Sequence, residues 1–423
     1  MVKAEYRMKE KLEINELRKG MFVCELDRPW LDSPFLFQGF LINTDKEMDE
    51  LKQLCEYVFI DTEKGDGKQS ERASSAPLEE PKKHTTENDY VSQRPYLSHF
   101  EEEIRPAGRL REEANKYMEE LFAAVRAGKS VDGNQTRKVV AGMVASILRN
   151  PDALVLLNHL RDNSDYAIAH SLNVCTLTLA FGRYLGLEQK ELVEIGMGAL
   201  LHDIGEIRVP KDIMYKEGLL SHEENKQMRA HTKHGADILK HSDGIPETAI
   251  EIARAHHERS NGQGYPAGLQ EAEIAYFARI VGIVDVYDSV TTSHNQRESI
   301  NSTEALKNMY NWRNEMFDAQ LVEQFIQCLG IYPVGSIVEL DNGEVGIVIA
   351  VALDKRLQPK LMLVRDQFKK AYTPPRIINL ALHSGDTKSS LYEINKVLEP
   401  GDYGIDLKSY LLREMSAKVS LVQ

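Results

Sequence analysis

The sequence predicts a mainly helical protein with a small α+β domain before the helical region and a β-rich extension after it. Apolar residues recur at intervals of three and four over the middle of the chain, as on the buried face of amphipathic helices. Short alternating or continuous apolar runs, which are typical of strands, occur near the two ends. The length of 423 residues is enough for two or three domains of ordinary size.

The composition is that of a folded, acidic protein. Apolar residues make up 42% and charged residues 28% of the chain, close to globular averages, which excludes wholesale disorder. The net charge of −13 repels nucleic acid polymers and anionic membranes. The four cysteines are widely spaced, and no run approaches the roughly 18 apolar residues of a membrane span. We therefore expect a cytoplasmic location, no membrane span and no nucleic acid polymer as a partner.

We place the first domain at residues 1–63 and a flexible linker at residues 64–97. The elements predicted in the first domain are one helix at residues 46–55 and strands at residues 20–26, 35–42 and 57–60. The linker is rich in Ser, Glu, Lys and Pro and has few large apolar residues. Burial of its side chains therefore cannot offset the entropy that ordering would cost.

Residues 98–330 are predicted to form an all-helical domain. Its clearest periodic segments are residues 110–126, 136–148 and 166–185. Ser221 followed by Glu224 has the spacing of a capping box, so one continuous helix is predicted over residues 222–240.

Residues 331–423 are predicted to form the β-rich extension. The dipeptide Asn342-Gly343 between two apolar runs indicates a hairpin with a tight turn. The run at residues 361–365 adds another strand.

The helical region contains imidazole and carboxylate side chains of the kinds that bind Zn, Fe or Mn. Taken singly, each histidine is more often a hydrogen-bonded core or surface residue than a metal ligand. The pairs His202-Asp203 and His256-His257 each follow an apolar segment, where an unpartnered polar group would be costly to bury. A metal is the simplest partner common to both pairs. The complete set is His170, His202, Asp203, His231, His256, His257 and Asp285.

The sequence around these residues resembles a known family, the HD-GYP domain of bacterial metal-dependent phosphodiesterases that act on cyclic di-GMP. The matching segments are LLHDIGEIRVP, RAHTKHGADIL, IARAHHERSNGQGYPAGL and ARIVGIVDVYDSVT. The resemblance covers about residues 150–330, and the ordered series of motifs is highly specific. The segment GMFVCELDRPWLDSPFLFQGF resembles an uncharacterised domain commonly found N-terminal to HD-GYP domains, and that match implies no activity.

The resemblance implies an HD-type metal domain that holds two divalent ions, Fe or Mn rather than Zn. It assigns His170, His202, Asp203 and Asp285 to one metal and His231, His256 and His257 to the second, with Asp203 as the bridge. Asp203 and His202 are then the catalytic residues, since two adjacent cations clamp a phosphodiester and activate water. Some members hold a third metal through a Glu four residues before the first His. That position here is Tyr166, a poor ligand at neutral pH, so we expect two metals and a packing role for Tyr166.

Gly264, Tyr265 and Pro266 belong to a compact loop directly after the histidine pair, which we interpret as a lip of the active site that contacts substrate. In the family this loop is also a contact surface for partner proteins, including diguanylate cyclases. A plain structural turn is the competing interpretation. Arg297 is the basic position that remains for phosphate binding.

Three positions depart from the family pattern. Glu206 stands where the family usually has Lys, and a carboxylate there repels phosphate unless it turns away or pairs with a cation such as Lys211. Asn261 and His294 replace a usual Asp and a usual Arg. Phosphate binding is thus expected to be weakened.

We predict hydrolysis of a cyclic dinucleotide to the linear dinucleotide, with cyclic di-GMP ahead of cyclic GMP-AMP. The departures leave open a second function, that of a catalytically weak effector that senses a cyclic dinucleotide and acts through protein partners. A third alternative is a single-metal nucleotidase, which would leave His231, His256 and His257 without a role.

Overall fold

The computed structural model describes most of the chain. The described residues are 9–27, 40–42, 48–49, 51–52, 55–61, 96–159, 166–216, 220–292, 299–313, 315–351, 357–383, 392–399, 401–407 and 409–410. The chain divides into two compact units, Met1–Thr86 and Glu87–Gln423. Residues 64–95 of the predicted linker lie outside the described residues.

The first unit contains a four-stranded antiparallel sheet in the order β1-β4-β2-β3. Its strands are β1 (Lys9–Glu13), β2 (Phe22–Leu26), β3 (Phe40–Leu41) and β4 (Tyr57–Asp61). Val58 and Ile60 of β4 are buried with Leu51, as the alternation of side chains along a strand requires. Residues 48, 49, 51 and 52 are helical, within the predicted helix. Of the strand predicted at residues 35–42, residues 35–39 lie outside the described part.

The second unit begins with the predicted helical region. Its helices are α1 (Phe100–Arg126), α2 (Gly133–Arg149), α3 (Pro151–Leu157), α4 (Tyr166–Leu185), α5 (Gln189–Leu201), α6 (Lys211–Met214), α7 (His222–Arg229), α8 (His231–Lys240), α9 (Glu247–Ala255), α10 (Tyr276–Thr291), α11 (Ser302–Trp312) and α12 (Ala319–Leu329). A 3-10 helix, Ile204–Arg208, follows α5. Helices α4, α5, α9 and α10 contact one another in a closed ring, since α5 packs on α4 and α9, and α10 packs on both α9 and α4. This ring encloses a large apolar core.

The single helix predicted over residues 222–240 is wrong in one respect, because the chain breaks at Ala230. The capping box at Ser221 and Glu224 does form. At the end of α7, however, two carbonyls are taken by side chains: Met228 O accepts from His231 Nδ1 at 2.7 Å, and Arg229 O accepts from the Thr232 hydroxyl at 3.1 Å. The break starts a new helix at His231, the residue that the metal hypothesis requires.

The second unit ends in a five-stranded antiparallel sheet in the order β8-β7-β6-β5-β9. Its strands are β5 (Ile337–Leu340), β6 (Val345–Ala350), β7 (Lys360–Arg365), β8 (Ala371–Asn379) and β9 (Ile394–Val397), with a short helix α13 (Leu380–His383) after β8. The predicted hairpin joins β5 and β6, with Gly343 at φ +85°. Leu156 of α3 belongs to the core under the sheet.

Among the described residues, no single helix is both long and apolar enough to cross a membrane. Helices α2 and α3 pass that test only when taken together, and they are bent by 119°.

Candidate metal centre

All seven predicted metal ligands lie in the second unit, most of them at or near the ends of helices. His170 is in α4 and Asp285 in α10, whereas His202 ends α5 and His256 ends α9. The side chains form two groups, and within each group the candidate ligand atoms lie within 4.8 Å of one another. The groups are His170, His202 and Asp285, and Asp203, His231, His256 and His257.

The Asp203 carboxylate lies between the two groups and directs one oxygen toward each. Oδ2 is 3.0 Å from His202 Nε2 and 3.7 Å from His170 Nε2. Oδ1 is 3.4 Å from His231 Nε2 and 3.3 Å from His256 Nε2. A carboxylate in this position can contact cations on both sides.

Asp285 makes a similar connection on the other side of the centre. Its Oδ1 is 3.1 Å from His170 Nε2, and its Oδ2 is 3.7 Å from His257 Nδ1. Its side chain is 6% exposed and that of His257 is 20% exposed, so the centre is buried with His257 toward its mouth.

Backbone carbonyls fix the tautomer of three histidines. The contacts are His202 Nδ1 with Ala199 O at 2.9 Å, His231 Nδ1 with Met228 O at 2.7 Å and His256 Nδ1 with Ile252 O at 3.0 Å. A carbonyl can only accept a hydrogen bond, so Nδ1 carries the proton in each ring. Each Nε2 therefore points toward Asp203. Although burial opposes it, Asp203 raises the pKa of His202 and raises that of His231 to about 9, so a metal ion would take the place of the Nε2 proton.

Four buried atoms at the centre make no hydrogen bond within the described structure. They are Nε2 of His202, His231 and His256, and Oδ1 of Asp203. A buried polar atom left without a hydrogen bond costs about 1 to 3 kcal/mol, so a cluster of four needs a compensating ligand. Imidazole nitrogens and carboxylate oxygens are the donor set of Mn, Fe and Zn. The residues therefore fit a divalent metal, and divalent metal binding is indicated.

The electrostatics of the centre favour a bound cation. Burial lowers the pKa of both His256 and His257, so these rings are neutral at physiological pH. Burial opposes the ionisation of Asp203, but the charge of the adjacent His202 and the nearby rings of His231 and His256 hold its pKa well below the usual range. Burial also disfavours the charged form of His170, yet Asp285 and Asp288 raise its pKa well above normal. Carboxylates that draw a proton onto His170 attract a metal ion in the same way.

Close backbone packing brings Asp203 to His231. A Cβ on Gly205 would lie 2.0 Å from the carbonyl oxygen of His231 and 2.4 Å from the amide nitrogen of Gly235. Only glycine allows the 3-10 helix to rest on the first turn of α8. Gly205 thus allows the close approach that brings Asp203 of one ligand group near His231.

The loop after the histidine pair forms one side of the mouth. The Tyr265 ring lies 4.6 Å from the His257 ring, and the Arg229 guanidinium stands 4.9 Å over the Tyr265 ring. A Cβ on Gly264 would lie 2.4 Å from Glu258 Cα, so this position also requires glycine. Pro266 follows Tyr265 through a cis peptide bond.

Two residues at this loop were missed by the sequence analysis. The buried Glu258 holds the loop, since its Oε1 accepts from the Ala267 amide at 2.7 Å and its Oε2 from the Leu269 amide at 3.0 Å. The acid directly after the histidine pair was available as a signal. Arg229 has no comparable signal, because it is one of several exposed basic residues in its helix.

The remaining predicted positions divide into those the structure describes and those it does not. Glu206 is half-buried, and burial together with the charge of Asp203 raises its pKa to about 7. Within the described structure it forms no ion pair with Lys211. Arg297 and His294 lie outside the described residues, so their predicted roles stay predictions.

Tyr166 and Asp288 flank His170. The Tyr166 ring stacks on the His170 ring with centroids 5.7 Å apart and planes 5° apart. Asp288 Oδ2 lies 2.8 Å from His170 Nδ1 and so orients the ring from behind. Asp288 was also missed, although it follows Asp285 by one helical turn on the same face.

Three family models match the chain. They are a domain of unknown function (DUF3391) at residues 9–136, an HD domain at residues 154–321 and a KOW domain associated with HD domain at residues 337–404. The C-terminal sheet lies within the third match.

Comparison with known proteins gives one relative that spans most of the chain. The cyclic di-GMP phosphodiesterase PA4108 of Pseudomonas aeruginosa is 33% identical over 379 residues, which cover 88% of this chain and 89% of that protein. The 3'3'-cGAMP-specific phosphodiesterase 2 of Vibrio cholerae is 29% identical over 173 residues, 41% of this chain and 33% of that protein. Among solved structures, the HDG"Y"P protein Bd1817 of Bdellovibrio bacteriovorus aligns with a TM-score of 0.45 at 18% identity, covering 75% of this chain and 98% of that one. The extent of the first match and the motifs at the centre show that the chain belongs to the HD-GYP family of HD-domain proteins.

Proposed function

We propose that the chain is a metal-dependent phosphodiesterase that opens a cyclic dinucleotide, cyclic di-GMP ahead of 3'3'-cGAMP, to the linear dinucleotide. The observation that carries the proposal is the buried set of unpartnered imidazole and carboxylate atoms around Asp203. The named activities of the Pseudomonas and Vibrio relatives support the substrate class.

The proposed centre holds two divalent ions, Fe or Mn. His170, His202 and Asp285 would hold one ion and His231, His256 and His257 the other, with Asp203 shared between them. When bound, such ions stabilise the negative charge that develops on a phosphodiester and activate water for attack. The chain's own contribution is to hold the imidazoles in one tautomer and to keep Asp203 ionised. His202 and Asp203 are the residues we assign to catalysis.

Substrate contacts are proposed at the mouth. Arg229 places an exposed cation over the Tyr265 ring, which in turn lies beside the His257 ring. A phosphate group reaching the centre past this rim gains a positive contact in an otherwise acidic chain. Gly264 and Pro266 fix the shape of the rim, and the same loop is our proposed contact for a protein partner such as a diguanylate cyclase.

A catalytically weak effector is the second candidate function. The observation in its favour is Glu206, a half-buried carboxyl close enough to Asp203 for their charges to interact. An ionised Glu206 would repel a substrate phosphate. The effector and the enzyme differ in turnover, whereas both would bind the dinucleotide.

The deciding experiment is a turnover assay on metal-loaded protein. Protein reconstituted anaerobically with Fe(II) or Mn(II) is incubated with cyclic di-GMP and, separately, with 3'3'-cGAMP, and the products are separated by chromatography. We expect linear dinucleotide, formed faster from cyclic di-GMP, and none with the Asp203→Ala variant. Binding of either dinucleotide without product from fully loaded protein would replace the enzyme with the effector.

A further inference from the structure

A continuous series of hydrogen bonds connects α1 to His170. Asp288 accepts from His170 Nδ1 at 2.8 Å and, through Oδ1, from Asn173 Nδ2 at 3.1 Å. Asn173 Oδ1 accepts from Arg111 Nη2 at 3.1 Å. The other arm of the guanidinium, Nη1, donates to Asn158 Oδ1 at 2.8 Å.

The chemistry of the end groups fixes every orientation in this series. A guanidinium can only donate, so the side-chain oxygen of Asn173 faces Arg111 and its NH2 group faces Asp288. An ionised carboxylate can only accept, so the contact with Asp288 places a proton on Nδ1 of His170. Nε2 of His170 is thereby directed at Asp285 and Asp203, into the proposed metal centre, where a metal ion would take the place of its proton.

Packing alone does not hold these side chains in place. Asn158, Asn173 and Asp288 are buried, with relative exposures of 6%, 1% and 4%. All three also line a cavity of about 550 Å³ between the helical region and the C-terminal sheet. An amide that borders open space can turn if its hydrogen bonds are lost, so the two-armed contact from Arg111 sets its orientation.

We propose that Arg111 is a positioning residue for the metal centre, acting through Asn173 and Asp288 to keep Nε2 of His170 available as a ligand. The inference rests on the proposed function, because it takes His170 to be a metal ligand. Arg111 also lies in the part of the chain that matches the domain of unknown function. The hydrogen bonds therefore give that matched region a physical connection to the metal centre.

The test measures Mn(II) affinity directly, from the electron paramagnetic resonance signal of free Mn(II) during titration of metal-free protein. In Asp288→Asn, the side-chain NH2 group can donate to Nδ1 of His170 and so favours the tautomer that carries its proton on Nε2. We expect the Mn(II) affinity of one class of sites to fall about 10- to 100-fold. In Arg111→Met we expect a fall of about three- to tenfold, because one further group intervenes. Arg111→Lys keeps the charge without the two-armed contact and should restore only part of the loss. Excess Mn(II) should restore turnover in all three variants, which a damaged fold would not allow.

Lys116→Met is the matched control, since Lys116 is on the same helix and its side chain is 77% exposed beside Glu120. It removes one cation from α1 and should bind Mn(II) like the unaltered chain. The double variant Arg111→Met/Asp288→Asn should bind no more weakly than Asp288→Asn alone, because both changes break the same series. Additive losses, or unaltered Mn(II) affinity in Arg111→Met, would overturn the inference.

The outcomes also separate this inference from the proposed function. If the unaltered chain binds Mn(II) but Arg111→Met binds it equally well, only the positioning role fails. If the unaltered chain binds no Mn(II), or if His202→Ala binds it normally, the proposed metal centre itself fails.

Discussion

Two regions of the second unit bury carboxylates with opposite consequences. At the metal centre, burial opposes the ionisation of Asp203, but the charge of His202 and the other nearby histidines hold its pKa well below the usual range. At the contact between α3 and the C-terminal sheet, burial raises the pKa of Asp152 from 3.8 to about 7. Asp152 accepts a hydrogen bond across the contact from the Val351 amide at 3.3 Å, and this bond and the charge of Arg183 favour ionisation less than burial opposes it.

The difference shows how the two buried carboxylates serve different purposes. Three ring nitrogens around Asp203, and its own Oδ1, make no hydrogen bond in the described structure. The centre therefore has more potential metal-binding atoms than hydrogen bonds to satisfy them. Asp152 connects α3 to the C-terminal sheet by accepting from the Val351 amide. Among the described residues, no cluster of potential metal ligands includes it. We infer that the first arrangement is built for a cation and the second for docking the sheet.

The largest expected effect comes from deleting the shared carboxylate. Asp203→Ala should lose bound metal and reduce turnover to background, because it removes the carboxylate that lies between the two ligand groups with one oxygen toward each. Circular dichroism should show the helical content unchanged, since the side chain makes no contact that the helices need. Metal content by elemental analysis and product formation are the measurements. A variant that keeps its metal and normal turnover would show that Asp203 is not shared.

The next largest effect concerns the number of metal ions bound per chain. Because Tyr166 stacks on His170 instead of supplying a carboxylate, elemental analysis of reconstituted protein should approach two ions per chain. Removing the ions with a chelator should abolish turnover, and added Mn(II) should restore it. A reproducible content near one or near three ions would contradict the assignment of the ligands to two groups.

The fold could be predicted from the sequence where the periodic pattern was strong. Helix α4 has the bounds that its pattern gave, Tyr166–Leu185, and the Asn342-Gly343 hairpin formed as expected. Strand β8 was not predicted because Pro374 and Pro375 argue against a strand. It tolerates them as the edge of its sheet, where one side needs no partner. The break at Ala230 depends on side-chain hydrogen bonds that periodicity does not reveal.

At the candidate site, too, some residues could be predicted from the sequence and others could not. Residues with a distinctive type and spacing, such as His202 and His256, could be found from the sequence and lie together in the structure. The supporting residues Asp288 and Arg111 could not be found in this way, because single Asp and Arg residues are common in the helices of any acidic protein. Their roles come from contacts between α1, α4 and α10, which only the fold brings together.

A smaller effect is expected from reversing the charge at Glu206. At an effective dielectric constant near 20, a unit charge at about 4 Å from a phosphate is worth roughly 4 kcal/mol before screening, and solvent reduces this considerably. Glu206→Lys should therefore lower KM and raise kcat/KM several-fold, and Glu206→Gln should lie between the two. Both variants must be compared at equal metal content, since a lysine near the centre also disfavours cations. An unchanged KM in both variants would show that Glu206 does not face the phosphate.

The last prediction concerns stability at the other buried carboxylate, away from the metal centre. With a pKa of about 7 in the folded chain against 3.8 in the unfolded chain, Asp152 binds more protons when folded across this interval. Stability from this group is therefore fully present below pH 3.8 and is lost as pH rises through 7, a loss of up to about 4 kcal/mol.

Asp152→Asn can still accept a hydrogen bond from the Val351 amide through Oδ1 but carries no charge. We expect its free energy of unfolding to exceed that of the unaltered chain at pH 8, with the advantage shrinking toward pH 5. Urea unfolding of metal-free protein at several pH values gives the comparison, with Asp243→Asn at an exposed position as the control for simple charge loss. If Asp152→Asn is no more stable than that control at pH 8, the buried carboxylate is held ionised after all, and the contrast with Asp203 fails.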